Sequence, residues 1–299
     1  MERRHKPLVW LMCLMMLLVS SCSHTVKPDN ETEDSSGLNK TPERTVGGSA
    51  GDLEGRTIVI TIFGSDDRYS WEYTYEDKPA KTYIRDYLDI AGTYLEHMAA
   101  DYGKKALFIT DFIENQDLSY DVVFDQTVVS EQVVYYGDID YLIWDFIDEN
   151  IDEEALREEY EADNVVYLLI MNTDVDNEVS TCTRNWYYGM PSNSEVVYLF
   201  NIDYGVLNPP AVYAHEILHT FGAPDLYMEQ LDYGITNEFV YYVRDNLPND
   251  IMYTCSDRRA GTYLYDRITN EYSDLTAYFV GLTDHCDIVD EWGLTDPYR

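Results

Sequence analysis

The stretch His215-Glu216-Ile217-Leu218-His219-Thr220-Phe221-Gly222-Ala223-Pro224-Asp225 constrains this chain more than any other. Two histidines four residues apart fall on one face of a helix, about one turn from each other. Glu216 projects beside them, Gly222 is placed to end the helix, and Asp225 follows three residues later. Any fold this chain adopts must stop that helix abruptly and return the backbone toward the same face. A residue with a Cβ disfavours such a reversal, which gives Gly222 its place. The set offers two neutral nitrogen donors, one carboxylate donor and a spare carboxylate. That is the inventory of a hydrolytic zinc site with one position left open. The spacing predicts metal ligands at His215, His219 and Asp225 and a general base at Glu216.

The chain begins with a basic start, Glu2-Arg3-Arg4-His5-Lys6, and an apolar run from Pro7 to Val19. That run is shorter than the roughly 20 residues a spanning helix needs, and it has the layout of a secretory signal over residues 1–21. Val19, Ser20 and Ser21 directly before Cys22 resemble the bacterial lipobox, which implies cleavage before Cys22 and lipid on its sulfur. From Ser23 to about Gly55 the chain is polar and rich in Ser, Thr, Asn, Gly and Pro, and reads as a disordered tether. Residues 22–55 are thus expected to link a lipid anchor to one folded domain over 56–299. The body of the protein is expected outside the cytoplasm, on a bacterial cell surface or outer membrane.

The net charge of −36 repels nucleic acid and anionic head groups, so partners of those kinds are not expected. Membrane contact is expected through Cys22 alone. Calcium is conceivable at Asp174-Val175-Asp176-Asn177-Glu178, but that run lacks the glycine and distal glutamate of an EF-hand loop. With Cys13 in the signal and Cys22 lipidated, Cys182, Cys255 and Cys286 remain, and one disulfide among them would leave one thiol over.

Periodicity predicts alternating strands and helices. Thr57–Phe63, Ala106–Ile109, Val165–Met171 and Glu195–Asn201 read as strands. Ile84, Tyr87, Leu88, Ala91, Leu95, Met98 and Tyr102 recur at helical spacing, with Gly103 placed to stop the helix. Ile139, Leu142, Ile143, Phe146 and Ile147 mark a second helix, Pro210–Phe221 carries the motif, and further helices are expected at Phe239–Val243 and Leu275–Val280. Alternation of this kind argues for an α/β layered domain.

The extended pattern His215, Glu216, His219, Gly222, Asp225 resembles the metzincin clan of zinc peptidases. Its aspartate variant, with Gly222-Ala223-Pro224-Asp225-Leu226-Tyr227, looks most like the immune inhibitor A group of bacterial peptidases and, more distantly, the snapalysins. Asn249-Asp250-Ile251-Met252-Tyr253 is similar to the clan's Met-turn, with Met252 beneath the metal. The resemblance covers about Ala211–Asp225 and Asn249–Tyr253. It implies a zincin-like α/β (α+β) fold: a mixed twisted sheet with an antiparallel edge strand, an active-site helix, a Met-turn and a mainly helical C-terminal part. It implies that Val196, Val197, Tyr198, Leu199 and Phe200 form the edge strand that pairs with extended substrate. It further implies one catalytic Zn²⁺ and a zinc-dependent endopeptidase acting on proteins or peptides. One departure is that Thr254, not a tyrosine, stands two residues after Met252, so no tyrosine is assigned to the metal or the oxyanion.

The residues themselves suit hydrolysis. A bound ion lowers the pKa of its water to about 7, and Glu216 can take that proton and return it to the leaving amine. Two other readings compete. One places the third ligand on a later glutamate, Glu229 or Glu238. The other is a catalytically silent, surface-binding lipoprotein that keeps a peptidase-like fold.

Overall fold

The computed structural model describes residues 48–71, 77–135, 138–184 and 195–296. The signal segment 1–21, Cys22 and the tether through residue 47 lie outside the described residues.

The β-branched run at Thr57 forms β1 (Gly55–Ser65), followed by α1 (Asp77–Asp101), β2 (Ala106–Ile109) and β3 (Ser119–Val123). Helices α2 (Glu131–Tyr135), α3 (Asp138–Asn150) and α4 (Glu153–Tyr160) lead into β4 (Asn164–Met171), β5 (Cys182–Arg184) and β6 (Val196–Phe200). A short hairpin, β7 (Ile202–Asp203) with β8 (Val206–Leu207), precedes the motif helix α5 (Pro210–Thr220). Helices α6 (Asn237–Asn246), α7 (Asp274–Phe279) and α8 (Asp287–Trp292) follow.

Strands β1, β4 and β6 are parallel neighbours at the centre of the sheet. On one side β1 pairs in parallel with β2 along Gly55–Ile58 and with β3 along Thr61–Ser65. On the other side β5 runs antiparallel to β6. The architecture is mixed α/β, with a mostly parallel sheet and one antiparallel edge strand.

Side chains alternate across the central strands because successive Cβ atoms point to opposite faces. Val59 and Phe63 of β1, Val166, Leu168 and Ile170 of β4, and Val197 and Leu199 of β6 join the core shared with α1 and α5. Ile58, Ile60 and Ile62, then Tyr167 and Leu169, then Val196, Tyr198 and Phe200 join a second core with α3 and α4. Layers on both faces explain the unbroken apolar runs of these strands.

Two expectations are corrected. Val196–Phe200 is not an edge strand: β6 lies between β4 and β5, and all five residues are buried. Among the described residues the sheet ends instead at β5, Cys182-Thr183-Arg184. Both hydrogen-bonding edges of β6 are taken, one by β4 and one by β5, so it has no free edge to offer a substrate. The fold also starts before residue 56. Ala50 and Leu53 are buried in the first core, and their amides donate to Thr220 O (2.8 Å) and Val280 O (2.9 Å).

Strand β5 is short but firmly tied. Arg184 makes an ion pair with buried Asp140 of α3 at 3.1 Å, and Asp140 also accepts from the Tyr198 hydroxyl at 2.6 Å. Removing one partner of such a buried pair costs about 3–5 kcal/mol, so β5 is pinned where the fold meets the motif helix.

Candidate metal centre

Helix α5 starts with Pro210 at a first-turn position, where its missing N–H is no loss. Ala214, Ile217, Leu218 and Phe221 are fully buried in the first core, which fixes the helix's rotation about its axis. His215 and Glu216 are nearly as buried, and His219 is half-buried at the end of the next turn.

The helix ends in a Schellman turn. Ala223 N donates to Leu218 O (3.1 Å) and Gly222 N to His219 O (2.8 Å), with Gly222 at φ 101°. This reversal brings Ala223 O to 2.6 Å from His219 Nδ1 and carries Asp225 back over the helix. The turn Asp250–Tyr253 closes the other side. Ile251 O lies 2.9 Å from His215 Nδ1, and Leu226 N donates to Met252 O at 2.9 Å. Met252 itself is fully buried in the first core. Asp250 holds this turn by accepting from Met252 N (2.8 Å), Ser273 N (2.9 Å), Ser273 Oγ (2.6 Å) and Thr276 Oγ1 (2.9 Å).

Carbonyl oxygens only accept, so each imidazole donates its Nδ1–H outward and, in its neutral form, turns an Nε2 lone pair inward. Those two Nε2 atoms are 3.2 Å apart. Asp225 Oδ1 lies 3.2 Å from His215 Nε2 and 3.3 Å from His219 Nε2. That oxygen is buried and has no hydrogen-bond donor among the described residues. Three converging electron pairs repel unless something positive sits among them. Ligands bound at about 2.0–2.1 Å to a tetrahedral ion stand roughly 3.3 Å apart, which these distances match. Glu216 offers a further oxygen within 4.8 Å of the histidine nitrogens. His215, Glu216 and His219 form a group that could hold a metal ion.

The charges obey the same geometry. Burial alone would raise the Asp225 carboxyl, but the His219 and His215 imidazoles hold it well below the usual range. Burial alone would lower both imidazoles. The Cys255 sulfur, Asp225 and Glu216 outweigh it for His215, and Asp225 outweighs it for His219, so both stand above the ordinary value in the metal-free protein. The surroundings of the two rings thus favour positive charge among these three atoms.

No family model, curated protein or solved structure matches the chain.

The centre faces a cleft of about 210 Å³ lined by Cys182, Thr183, Glu216, Asp225, Tyr227 and Gln230, among others. Its wall on one side is β5, from which Thr183 Oγ1 donates to Glu216 Oε2 at 2.9 Å. On the other, the Tyr227 ring stacks on His215 with centroids 6.2 Å apart. Burial, then the Asp225 and Glu216 carboxylates, push the Tyr227 phenol up, so it keeps its proton. Burial and Glu216 likewise push the Cys182 thiol up, which leaves it a poor nucleophile.

The structure thus brings together His215, Glu216, His219 and Asp225, with Met252 in the adjoining turn. It does not bring Glu229 in: that carboxylate accepts from Asn237 N at 3.1 Å. Cys182, Cys255 and Cys286 are unpaired thiols. At the calcium candidate, Asp174 Oδ1 accepts from Asp176 N (3.0 Å), and the Asn177 amide donates to Val179 O and Ile202 O (both 2.9 Å), which makes a self-satisfied turn. Sequence reasoning missed Thr183 and Tyr227. Tyr227 had a signal in its place two residues past Asp225, whereas Thr183 had none.

Proposed function

We propose that this chain is a zinc-dependent endopeptidase of zincin-like fold, in which His215, His219 and Asp225 hold the metal and Glu216 is the general base. The observation that carries this reading is the triangle of His215 Nε2, His219 Nε2 and Asp225 Oδ1, 3.2–3.3 Å on each edge, with a second carboxylate beside it and a cleft in front. When bound, zinc would polarise a scissile carbonyl and acidify a water.

The chain's own residues do the rest. Ile251 O and Ala223 O fix the tautomer and orientation of His215 and His219, as second partners of ligating histidines commonly do. Glu216, buried and beside the ligands, takes a proton from the attacking water and returns it to the leaving amine as the C–N bond breaks. Strand β5, at the sheet's antiparallel end and next to Glu216, takes over the substrate-pairing role expected of β6. Extended peptide lying along it presents its carbonyls to the centre.

We further propose export and anchoring through lipid at Cys22, which places the activity outside the cytoplasm. No helix among the described residues is long and apolar enough to cross a membrane.

The deciding experiment is cleavage of casein or a peptide library by the purified protein, with and without chelator, beside Glu216→Gln. Chelator-sensitive cleavage that drops about 10²–10⁴-fold in the variant, at unchanged zinc content, is the expected result. Equal cleavage by both proteins sinks the reading.

A further inference from the structure

We propose that Thr183 is the positioning residue for the general base, and that it selects which oxygen of Glu216 handles the proton; this rests on the endopeptidase reading above. The Thr183 hydroxyl lies 2.9 Å from Glu216 Oε2 and 2.9 Å from Glu216 O. It has one proton and two acceptors, both from the same residue. A donor held there grips the carboxylate at one end and the helix backbone at the other. Because the hydroxyl draws electron density from Oε2, Oε1 is the more basic oxygen and the one that acts. The water O–H bond breaks as Oε1–H forms, and the water oxygen bonds to the carbonyl carbon. Oε1–H then gives its proton to the amine nitrogen as the C–N bond breaks. Thr183 itself gains and loses nothing.

The placement of Thr183 is fixed by its strand. Residues alternate across β5, so Thr183 points to the α5 face while its neighbours point away. Cys182 packs against the second core and Arg184 reaches Asp140 at 3.1 Å. Thr183 is paired in register with Val197 of β6. The hydroxyl therefore arrives on a rigid element tied from both sides. The strand that would bind substrate also carries the residue that sets the base, so alignment of the two shares one support.

Thr183→Val removes the hydroxyl at nearly constant shape, and Thr183→Ser keeps it. The expected result is a kcat about 10–100-fold lower in Thr183→Val, with KM and zinc content close to wild type, and most of the rate restored in Thr183→Ser. A second readout needs no turnover. Affinity for a small hydroxamate, whose hydroxyl proton also needs an acceptor beside the metal, should fall in Thr183→Val and hold in Thr183→Ser. Wild-type kcat in Thr183→Val overturns the assignment, as does a serine variant as slow as the valine one. Loss of zinc from Thr183→Val also overturns it, because the residue would then serve the metal site's structure. Equal cleavage by wild type and Glu216→Gln overturns the endopeptidase reading itself, a result visible before any Thr183 variant is made.

Discussion

His215 Nδ1 donates to Ile251 O across 2.9 Å, although 36 positions separate the two residues. That bond fixes which imidazole nitrogen faces the centre. The carbonyl is held in turn by Asp250, a buried carboxylate that accepts from Met252, Ser273 and Thr276. One acidic side chain outside the helix motif thus sets the aim of the His215 ring within it.

Asp250→Ala should therefore damage stability and metal binding together. Leaving several buried donors unpartnered costs about 1–3 kcal/mol each where no water reaches them, so urea unfolding should show a loss of at least about 2 kcal/mol. Because the turn also aims His215, zinc affinity should fall roughly 10–100-fold, as it does when an orienting partner is lost. A variant that unfolds earlier but binds zinc as well as wild type would separate the turn from the ligand.

Asp225 is the second test. Its Oδ1 completes the triangle with both Nε2 atoms, so Asp225→Ala should weaken zinc binding by more than the roughly 10–100-fold lost with an orienting partner. Glu229→Ala should leave affinity unchanged, since that carboxylate serves the Asn237 amide instead. Titration with zinc against a competing chelator measures both. Full affinity in Asp225→Ala would move the third ligand elsewhere.

Much of this could be read from residue order, for physical reasons that also mark where reading stopped. The runs at Thr57, Val165 and Val196 are apolar on both faces, and a strand buried between two layers has no alternative environment. The proposed ligands lie within 11 residues of one another, joined by a helix and a turn whose geometry follows from Gly222. The edge could not be read. Cys182-Thr183-Arg184 is too short for alternation to show, and its support comes from Asp140, 44 residues earlier. The five-residue α2 and the charged α4 carry too few apolar positions to reveal a period. Ile251 O and Ala223 O act through backbone, which no side-chain pattern announces.

Proton and metal compete for the same lone pairs, which sets opposite pH trends with and without zinc. In the metal-free protein His215 and His219 have raised pKa values. A raised group contributes stability that is fully present below its unfolded value of about 6.5 and is lost as pH rises through its folded value. Asp225, depressed, contributes above about 3.9, and that is lost as pH falls through its folded value. Thermal midpoints in chelator should therefore be highest between roughly pH 4 and 6.5 and decline above. With zinc, protonation of the imidazoles ejects the ion, so midpoints should fall as pH drops below about 6.5. Slopes of the same sign in both series would mean that the histidines do not share one site with the metal.

The segment before β1 supplies the last prediction. A Cβ on Gly48 would collide with Thr220 O and Gly222 N, so this glycine sits directly against the turn that ends α5. Next to it, Ser49 donates through N (3.0 Å) and Oγ (2.9 Å) to Glu195, the residue before β6, and Ala50 N caps Thr220 O at 2.8 Å. Polar and glycine-rich, the stretch reads as a tether, yet it clasps the helix end from which Asp225 departs. A soluble chain beginning at Gly55 loses that cap and the buried Leu53, whose side chain alone contributes about 1.5–3 kcal/mol. It should unfold at lower urea than one beginning at Thr45 and bind zinc more weakly. Gly48→Ala in the longer chain should reproduce part of both effects, because the backbone it meets cannot move without shifting Gly222. Identical midpoints and zinc affinities for the two chains would show the clasp to be dispensable.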